Sequence, residues 1–479
     1  MKILLINPPI RLNEKPSNFP FGLGYIAAVL LREGYKVDVL DINGCRYNDK
    51  EIEKILRRKL IEDKIDVVGI GCLITCYSYV KWLIKTIKQI NPNVKIIVGG
   101  GLGSSVPEMT IKNLSADIVV IGEGETTILE LMRYFEKKRK ISSIKGIYYF
   151  KDKEIIKNPL RIRNESLDNI PLPARELFPM NIYIKNSMEE VPDIKEKGNG
   201  VDIVTGRGCY YKCTYCYDPL GHSRTLRSVE NVIKEIILLK EKYKVNYLFF
   251  TDPCFVLNKK WVYELCNEII KKKLNVRWVT SARVNLVDEP LLRKMKEAGC
   301  IALNYGIESG SQRMLNIMRK GVTVEQASKA VMMTRKAGIK DWLSFIIGFP
   351  EETKEDIEQT IKFCINNDIH LVAIFFATAY PGTALYEQVK NMGLIKNEEE
   401  YVSKLGDATD LVLNISKFSD NELKELRDYA IRKVRRAYFK RHKIEQFKWY
   451  IQKIQWAFLF IRKQGIFKFS RRVVNYLRK

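Results

Sequence analysis

Short runs rich in β-branched residues recur through the first 140 positions: Lys2 to Ile6, Lys36 to Leu40, Asp66 to Ile70, Lys95 to Val98 and Asp117 to Ile121. Between them lie amphipathic stretches long enough for helices. Strand-sized runs alternating with helical segments predict βαβ units on a parallel, doubly wound, Rossmann-like sheet with right-handed crossovers. In such a sheet the ligand site lies beyond the C-terminal ends of the strands. Those ends carry Asn7-Pro8-Pro9, the run Gly99-Gly100-Gly101-Leu102-Gly103-Ser104-Ser105, and Gly122-Glu123-Gly124-Glu125. Glycine there lets a bulky ligand approach the backbone. The plain alternative, tight turns with no ligand, stays open on these residues alone.

The alternation then stops. Pro159, Pro171, Pro173, Pro179 and Pro192, with charge clusters, predict a connector holding a small hairpin over Gly146 to Ile156. A second alternating series starts at Val201. Its strand candidates are Asp202 to Thr205, Tyr247 to Thr251, Arg277 to Ser281, Ile301 to Gly306, Trp342 to Ile347 and Leu371 to Ala377. Six β/α units predict a partial (β/α)6 barrel with its chemistry at the C-terminal ends of the strands. From Ser419 onward the pattern is helical, with Glu422 three residues behind a capping serine. The expected divisions are 1–140, a linker over 141–200, the barrel domain over 201–410, and a helical C-terminal region over 411–479.

Composition narrows the function classes. The 479 residues are 46% hydrophobic and 29% charged, as in an ordinary globular chain. The net charge of +25 invites a nucleic-acid reading. However, the segment from Ile431 to Lys479 holds 16 basic residues and one acid, Glu445, so +15 of that excess sits in the tail. The body is close to balanced, and a nucleic-acid partner for it is not implied. The N-terminal Met-Lys-Ile-Leu-Leu-Ile-Asn-Pro-Pro lacks the apolar length of a secretory leader, and no apolar run approaches the ~18 residues of a membrane span. A cytoplasmic, reducing setting is expected, where clustered cysteines read as metal ligands.

Of ten cysteines, three are clustered: Cys209, Cys213 and Cys216, in Gly206-Arg207-Gly208-Cys209-Tyr210-Tyr211-Lys212-Cys213-Thr214-Tyr215-Cys216. The loop follows the first barrel strand and so lies on the chemical face. Three thiolates on one compact loop suit a 4Fe-4S cluster with one iron left open. A zinc site completed by His222 is the rival, although zinc ligands usually come as two separated pairs. Cys45, Cys72, Cys76, Cys254, Cys266, Cys300 and Cys364 read as packing residues, with Cys254 placed near the site.

The C-x3-C-x2-C loop after the first barrel strand resembles the signature of the radical S-adenosylmethionine (SAM) enzymes. That resemblance implies a SAM molecule bound through its amino and carboxylate groups to the open iron, and cleaved by one electron to methionine and a 5′-deoxyadenosyl radical. It also implies roles by position. Tyr215 matches the aromatic residue beside the adenine, Asp252 the group holding the methionine ammonium, and Arg283 the base meeting the carboxylate. Glu308 matches the acid on the ribose, and Gly348-Phe349-Pro350 the turn around the adenine.

Asn7-Pro8-Pro9, Phe19-Pro20-Phe21-Gly22-Leu23-Gly24-Tyr25, the glycine run with Pro107-Glu108, and Gly122-Glu123-Gly124-Glu125 resemble the cobalamin-binding half of cobalamin-dependent radical SAM proteins. With Pro381-Gly382-Thr383, the likeness covers roughly residues 1–430. It implies cobalamin contacts at Asn7, Pro8, Thr75, Gly100, Gly101, Ser104, Gly122, Glu123 and Glu125. One departure matters: the Asp-x-His-x-x-Gly motif is absent, and none of His222, His370 and His442 falls in this domain, so no axial histidine to cobalt comes from it. The family reading is C-methylation of an unactivated carbon on a hydrophobic substrate, a lipid or other small molecule, with an external one-electron donor such as ferredoxin or flavodoxin. Radical cyclisation or carbon–carbon coupling of a lipid or tetrapyrrole is the alternative. tRNA methylthiolation is disfavoured, because the N-terminal domain has no second three-cysteine set.

The tail has its own pattern. Phe447, Tyr450, Ile451, Ile454, Phe458 and Ile461 recur at helical spacing among Lys448, Lys453, Arg462 and Lys463, with Trp449, Trp456 and Tyr476 nearby. An apolar stripe flanked by bases and Trp suits a helix lying on an anionic membrane surface, peripheral on the inner face. Packing of the stripe on the barrel is the second reading, and an RNA backbone ranks below both.

Overall fold

The computed structural model describes residues 1–11, 14–164, 166–188, 198–218, 221–369, 372–451 and 454. The first sheet contains β1 (Lys2–Asn7), β2 (Lys36–Asp41), β3 (Val67–Cys72), β4 (Lys95–Gly99), β5 (Ile118–Val120), β6 (Ile147–Lys151) and β7 (Glu154–Lys157). Its spatial order is β2-β1-β3-β4-β5-β6-β7, parallel through β5. Ile3, Leu4, Leu5 and Ile6 are all buried, so β1 is covered on both faces, as a parallel central strand requires. The expected hairpin forms as β6 and β7, but it does more than bridge domains. β6 pairs antiparallel with β5 and extends the first sheet.

The second sheet is a curled half-barrel of six parallel strands in chain order: β8 (Gly200–Ile203), β11 (Tyr247–Phe250), β12 (Arg277–Ala282), β13 (Cys300–Glu308), β14 (Lys340–Ile347) and β15 (Val372–Phe376). A two-residue ribbon, β9 (Gly206–Arg207) with β10 (Thr225–Leu226), brackets the cysteine loop. Alternate residues of the barrel strands, among them Leu248, Trp278, Leu303, Leu343 and Phe345, pack outward against the surrounding helices. The other alternation faces the lumen.

Among the features that tie the barrel to the segments before it, two are extensive and buried. One apolar cluster runs from Val80, Leu83 and Ile87 of the helix Tyr77–Ile90 to Met314, Met318, Phe349 and Leu385 of the barrel. The second is ionic: Glu235, in the helix Val229–Tyr243, receives Arg175 of the connector at 2.9 Å and Arg227 at 2.5 Å, with all three side chains at most 3% exposed.

Two local differences have clear causes, and one expected helix cap forms. The glycine run is a helical turn, Gly100–Ser105, because Gly101, Leu102 and Gly103 are buried and tertiary packing overrides glycine's poor helix propensity. Ser419 caps the helix Asp420–Arg441 by accepting the Glu422 amide at 3.3 Å. That helix carries the start of the basic segment and packs on the helix Lys354–Asn366 through Leu423, Ala430 and Val434. Lys433 pairs with Glu358, and Arg441 and His442 pair with Asp368. The opening of the basic segment is therefore barrel packing. Phe458, Ile461 and Trp456 of the expected stripe lie outside the described residues. No described helix is long and apolar enough to cross a membrane.

Candidate active site

The cysteine loop leaves the half-barrel on the expected face. Gly208 adopts φ +77°, and a Cβ there would collide with the Ser223 carbonyl, so the turn into Cys209 requires glycine. All three cysteines are free thiols. Burial pushes the Cys216 thiol up to about 12, with Cys213 and Cys209 adding to it. Among the described residues no three His, Cys, Asp or Glu side chains converge on a single metal ion. His222 is exposed. Three soft donors on one loop fit the corner irons of a cluster.

Around this loop the barrel ends gather a charged group. Glu308 closes β13 at φ +69°, a left-handed conformation that a non-glycine residue holds only when its surroundings enforce it, and a register shift in the β13–β14 pairing accompanies it. Lys320, 8% exposed, donates to Glu308 Oε1 at 2.9 Å and to the Tyr215 hydroxyl at 3.1 Å. The Tyr215 ring meets Phe349 edge-on at 6.1 Å. Arg283 stacks 3.5 Å over Tyr211 and donates to Cys213 Sγ at 3.5 Å and to the Lys320 carbonyl. Its Nε is buried with no hydrogen-bond partner, a cationic donor of the kind that suits a carboxylate. Tyr215, Arg283, Glu308, Gly348 and Phe349 thus come together, with Pro350 completing the turn.

Glu352 holds that turn by accepting the Gly348 amide at 2.5 Å. Burial pushes its carboxyl up to about 8. A carboxyl raised from 4.5 keeps a proton in the folded chain that the unfolded chain releases, so its contribution to stability falls as pH rises from 4.5 to about 8. Glu352→Gln keeps the acceptor and removes the titration. Its thermal midpoint is expected to gain on that of the parent between those pH values, which a melting series reads directly.

Asp252 is engaged elsewhere. Its carboxylate, fully buried, takes the Thr205 amide at 2.7 Å, the Thr205 hydroxyl, and Arg224 at 2.9 Å. Arg224 and Lys320 carry no sequence signal of their own, since each pairs with an acid remote along the chain. Cys254 is buried, which pushes its thiol up to about 11, with Cys209 adding to the rise and Arg224 and Arg283 opposing it.

Facing the cysteine loop are the C-terminal ends of β3, β4 and β5. Gly100, at φ +75°, packs on Cys72, and a Cβ there would stand 2.8 Å from its carbonyl. Ser104 Oγ accepts the Gly122 amide at 3.0 Å, joining two of the loops. Thr75 is half-buried in the turn Ile74–Cys76, next to an exposed Leu73. Pro8 is buried behind them. Asn7 is turned inward, donating to Asp41 Oδ1 at 2.8 Å beside Tyr183. Glu123 and Glu125 pair with Arg207. Glu125 Oε2 remains buried with no partner, while nothing lies within 4 Å of a Cβ built on Gly122. An acceptor without a donor, beside open backbone, fits a cofactor fringed with amides.

A cavity of about 440 Å³ fills the half-barrel lumen. Asp202, Phe249, Thr251, Ser281, Asn304 and Trp342 line it. Asn18 and Phe19, from the loop after β1, reach across to Asp202 Oδ2 at 3.3 and 3.0 Å.

A half-barrel whose first loop holds three cysteines, joined to a seven-stranded, mostly parallel domain, is the arrangement expected of an iron–sulfur SAM enzyme with a second cofactor domain. Residues 203–364 match the radical SAM superfamily, and residues 13–132 match the B12 binding domain. A protein of Pyrococcus horikoshii named as an uncharacterized methyltransferase is 33% identical over 456 residues, spanning 93% of this chain and 94% of its own. The anaerobic magnesium-protoporphyrin IX monomethyl ester cyclase of Rubrivivax gelatinosus is 26% identical over 415 residues, spanning 84% and 72%. Among solved structures, the radical SAM methyltransferase TsrM of Kitasatospora setae, with cobalamin and a 4Fe-4S cluster bound, superposes with a TM-score of 0.68 at 20% identity, over 82% of this chain and 75% of that one. The chain belongs to the cobalamin-binding branch of the radical SAM superfamily, whose cofactors are a 4Fe-4S cluster, SAM and cobalamin.

Proposed function

We propose that this chain is a cobalamin-dependent radical SAM methyltransferase that methylates an unactivated carbon of a small molecule held at the mouth of the half-barrel lumen. The observation that carries this reading is the placement of the cysteine loop directly against the loops after β4 and β5, so that both cofactor sites open on one space. Cys209, Cys213 and Cys216 hold the cluster. Tyr215, Glu308, Lys320, Arg283 and the Gly348-Phe349-Pro350 turn hold SAM. The loops after β3, β4 and β5 hold the corrin. When bound, these groups supply a primary carbon radical and a transferable methyl group.

The chain's own side chains bind, orient and shield. Lys320 neutralises Glu308 and fixes the Tyr215 hydroxyl, which keeps the aromatic face in place beside Phe349. Arg283 sets a positive charge beside Cys213. The buried walls exclude water that would quench a radical. An external one-electron donor, a ferredoxin or flavodoxin, is the partner such chemistry requires.

The lumen bears on the substrate. It mixes Phe249, Val279 and Trp342 with Asp202, Ser281 and Asn304, and its volume suits a compact molecule with one apolar face and several hydrogen-bonding groups better than a whole lipid or tetrapyrrole. The test supplies SAM labelled in its methyl group to the loaded, reduced protein with a small-molecule extract. Label in an acceptor other than methionine, dependent on added cobalamin, supports the reading; label confined to methionine defeats methyl transfer and leaves radical cyclisation.

Location is a separate point. Beyond the packed helix, Ile444, Phe447, Tyr450, Ile451 and Ile454 are exposed, near Lys443 and Lys448. This apolar and basic face suits an anionic membrane surface. Removing residues 443–479 is expected to abolish flotation with anionic liposomes while leaving cluster content intact; equal flotation of both forms assigns the tail another role.

A further inference from the structure

The loop that carries the cysteines is fastened to the cobalamin-binding domain at both of its ends. Two residues ahead of Cys209, Arg207 reaches Glu123 Oε1 at 3.1 Å and Glu125 Oε1 at 2.6 Å. The three side chains are 13, 3 and 7% exposed, and the guanidinium lies 5.0 Å over the Tyr25 ring. One residue behind Cys216, Tyr217 places its hydroxyl 2.8 Å from the Gly101 carbonyl and 2.5 Å from Ser105 Oγ. A Cβ on Gly101 would stand 3.1 Å from that hydroxyl, so the tyrosine seats closely against bare backbone. The two anchor points are themselves joined, because Ser104 Oγ takes the Gly122 amide.

Each contact could in principle serve stability alone, but their placement says more. Neither lies within one domain, and each ends within two residues of a cluster ligand. A buried arginine shared between two carboxylates is strict in geometry, because a lapse leaves charge unpaired in a low dielectric. A loop held at both ends has no freedom to pivot about either.

We propose that Arg207 and Tyr217 are positioning residues that set the separation between the iron–sulfur cluster and the corrin, so that hydrogen removal and methyl delivery converge on one substrate carbon. The inference rests on the reading above, in which the corrin binds the loops after β3, β4 and β5. Its consequence is kinetic: a misplacement of about 1 Å costs reactions of this kind on the order of a hundredfold, while each cofactor remains bound.

The reduced cluster and cob(II)alamin are both paramagnetic, so pulsed EPR reads their dipolar coupling as a distance. Tyr217→Phe removes one hydroxyl, and Arg207→Gln removes the charge while keeping most of the length. The parent is expected to give one narrow distance. Each variant is expected to broaden or shift it, the double variant most, with iron and corrin content unchanged and severalfold more 5′-deoxyadenosine released per methyl transferred. Arg207→Lys, which retains the charge, should recover part of both. A double variant with full cofactor content, the parent's distance distribution and the parent's product ratio overturns the inference. Should Arg207→Gln lose its cofactors, Tyr217→Phe decides by the same two readouts. A parent that binds its cluster but no corrin overturns the underlying reading instead.

Discussion

Replacing Cys213 with alanine is expected to abolish SAM cleavage. Cys213 is the central and most buried of the three thiols, and it takes a hydrogen bond from Arg283. Its loss leaves two ligands on a loop that needs three, so the cluster either fails to assemble or assembles without a defined open iron. Iron and sulfide analysis after anaerobic reconstitution should show the loss, and 5′-deoxyadenosine should fall to background. The fold should survive, because the sulfur contributes little to the core beyond its own volume. A variant that keeps a full cluster and cleaves SAM would remove the basis for assigning this loop to the chemistry.

The largest stability effect is expected at Glu235. Its carboxylate is buried between Arg175 and Arg227, and removing it leaves two guanidinium groups without their counter-ion. Breaking a buried ion network from one side costs about 3–5 kcal/mol, whereas well-packed apolar replacements of the whole network are often tolerated. Glu235→Ala should therefore lower the unfolding midpoint far more than exposed pairs such as Lys234 with Glu230 would allow. The pH dependence follows the same logic. Burial alone would raise the Glu235 carboxyl, but Arg227 and Arg175 hold it below the usual carboxylate value. Its contribution is complete above that usual value and is lost as pH falls through the lowered one. The parent should thus lose stability in acid more steeply than Glu235→Ala, in melts followed below neutrality.

The strands were legible because each is a short β-branched run with a helical stretch behind it. Lys36 to Leu40 and Tyr247 to Thr251 fall within a residue of β2 and β11. The hairpin was legible as a hairpin, but its union with β5 was not, since antiparallel pairing across that distance leaves no local pattern. The cluster loop announced itself through spacing. The residues that organise it did not: Arg207 meets Glu123 across 84 positions, and Tyr217 meets Gly101 across 116. Spacing reports what one loop can do alone, whereas these contacts depend on two domains docking.

The resemblance gives positions but not the partners those side chains have within the chain. Asn7 and Asp252 match motif positions, yet the structure commits Asn7 to Asp41 and Asp252 to Thr205 and Arg224. Buried amides and carboxylates must be satisfied, and neighbours in the same domain satisfy these two. Lys320 shows the converse. A lysine before a glycine has no distinctive pattern, but the left-handed turn at Glu308 delivers a carboxylate to it and builds the centre of the site.

The central claim is that one chain holds a cluster and a corrin against a shared space. The most direct measurement is to reconstitute the protein anaerobically, equilibrate it with hydroxocobalamin, remove unbound corrin, and count iron and cobalt per chain. The account predicts about four irons, the content of one cluster, together with one corrin. A chain that retains the cluster but no cobalt would contradict it.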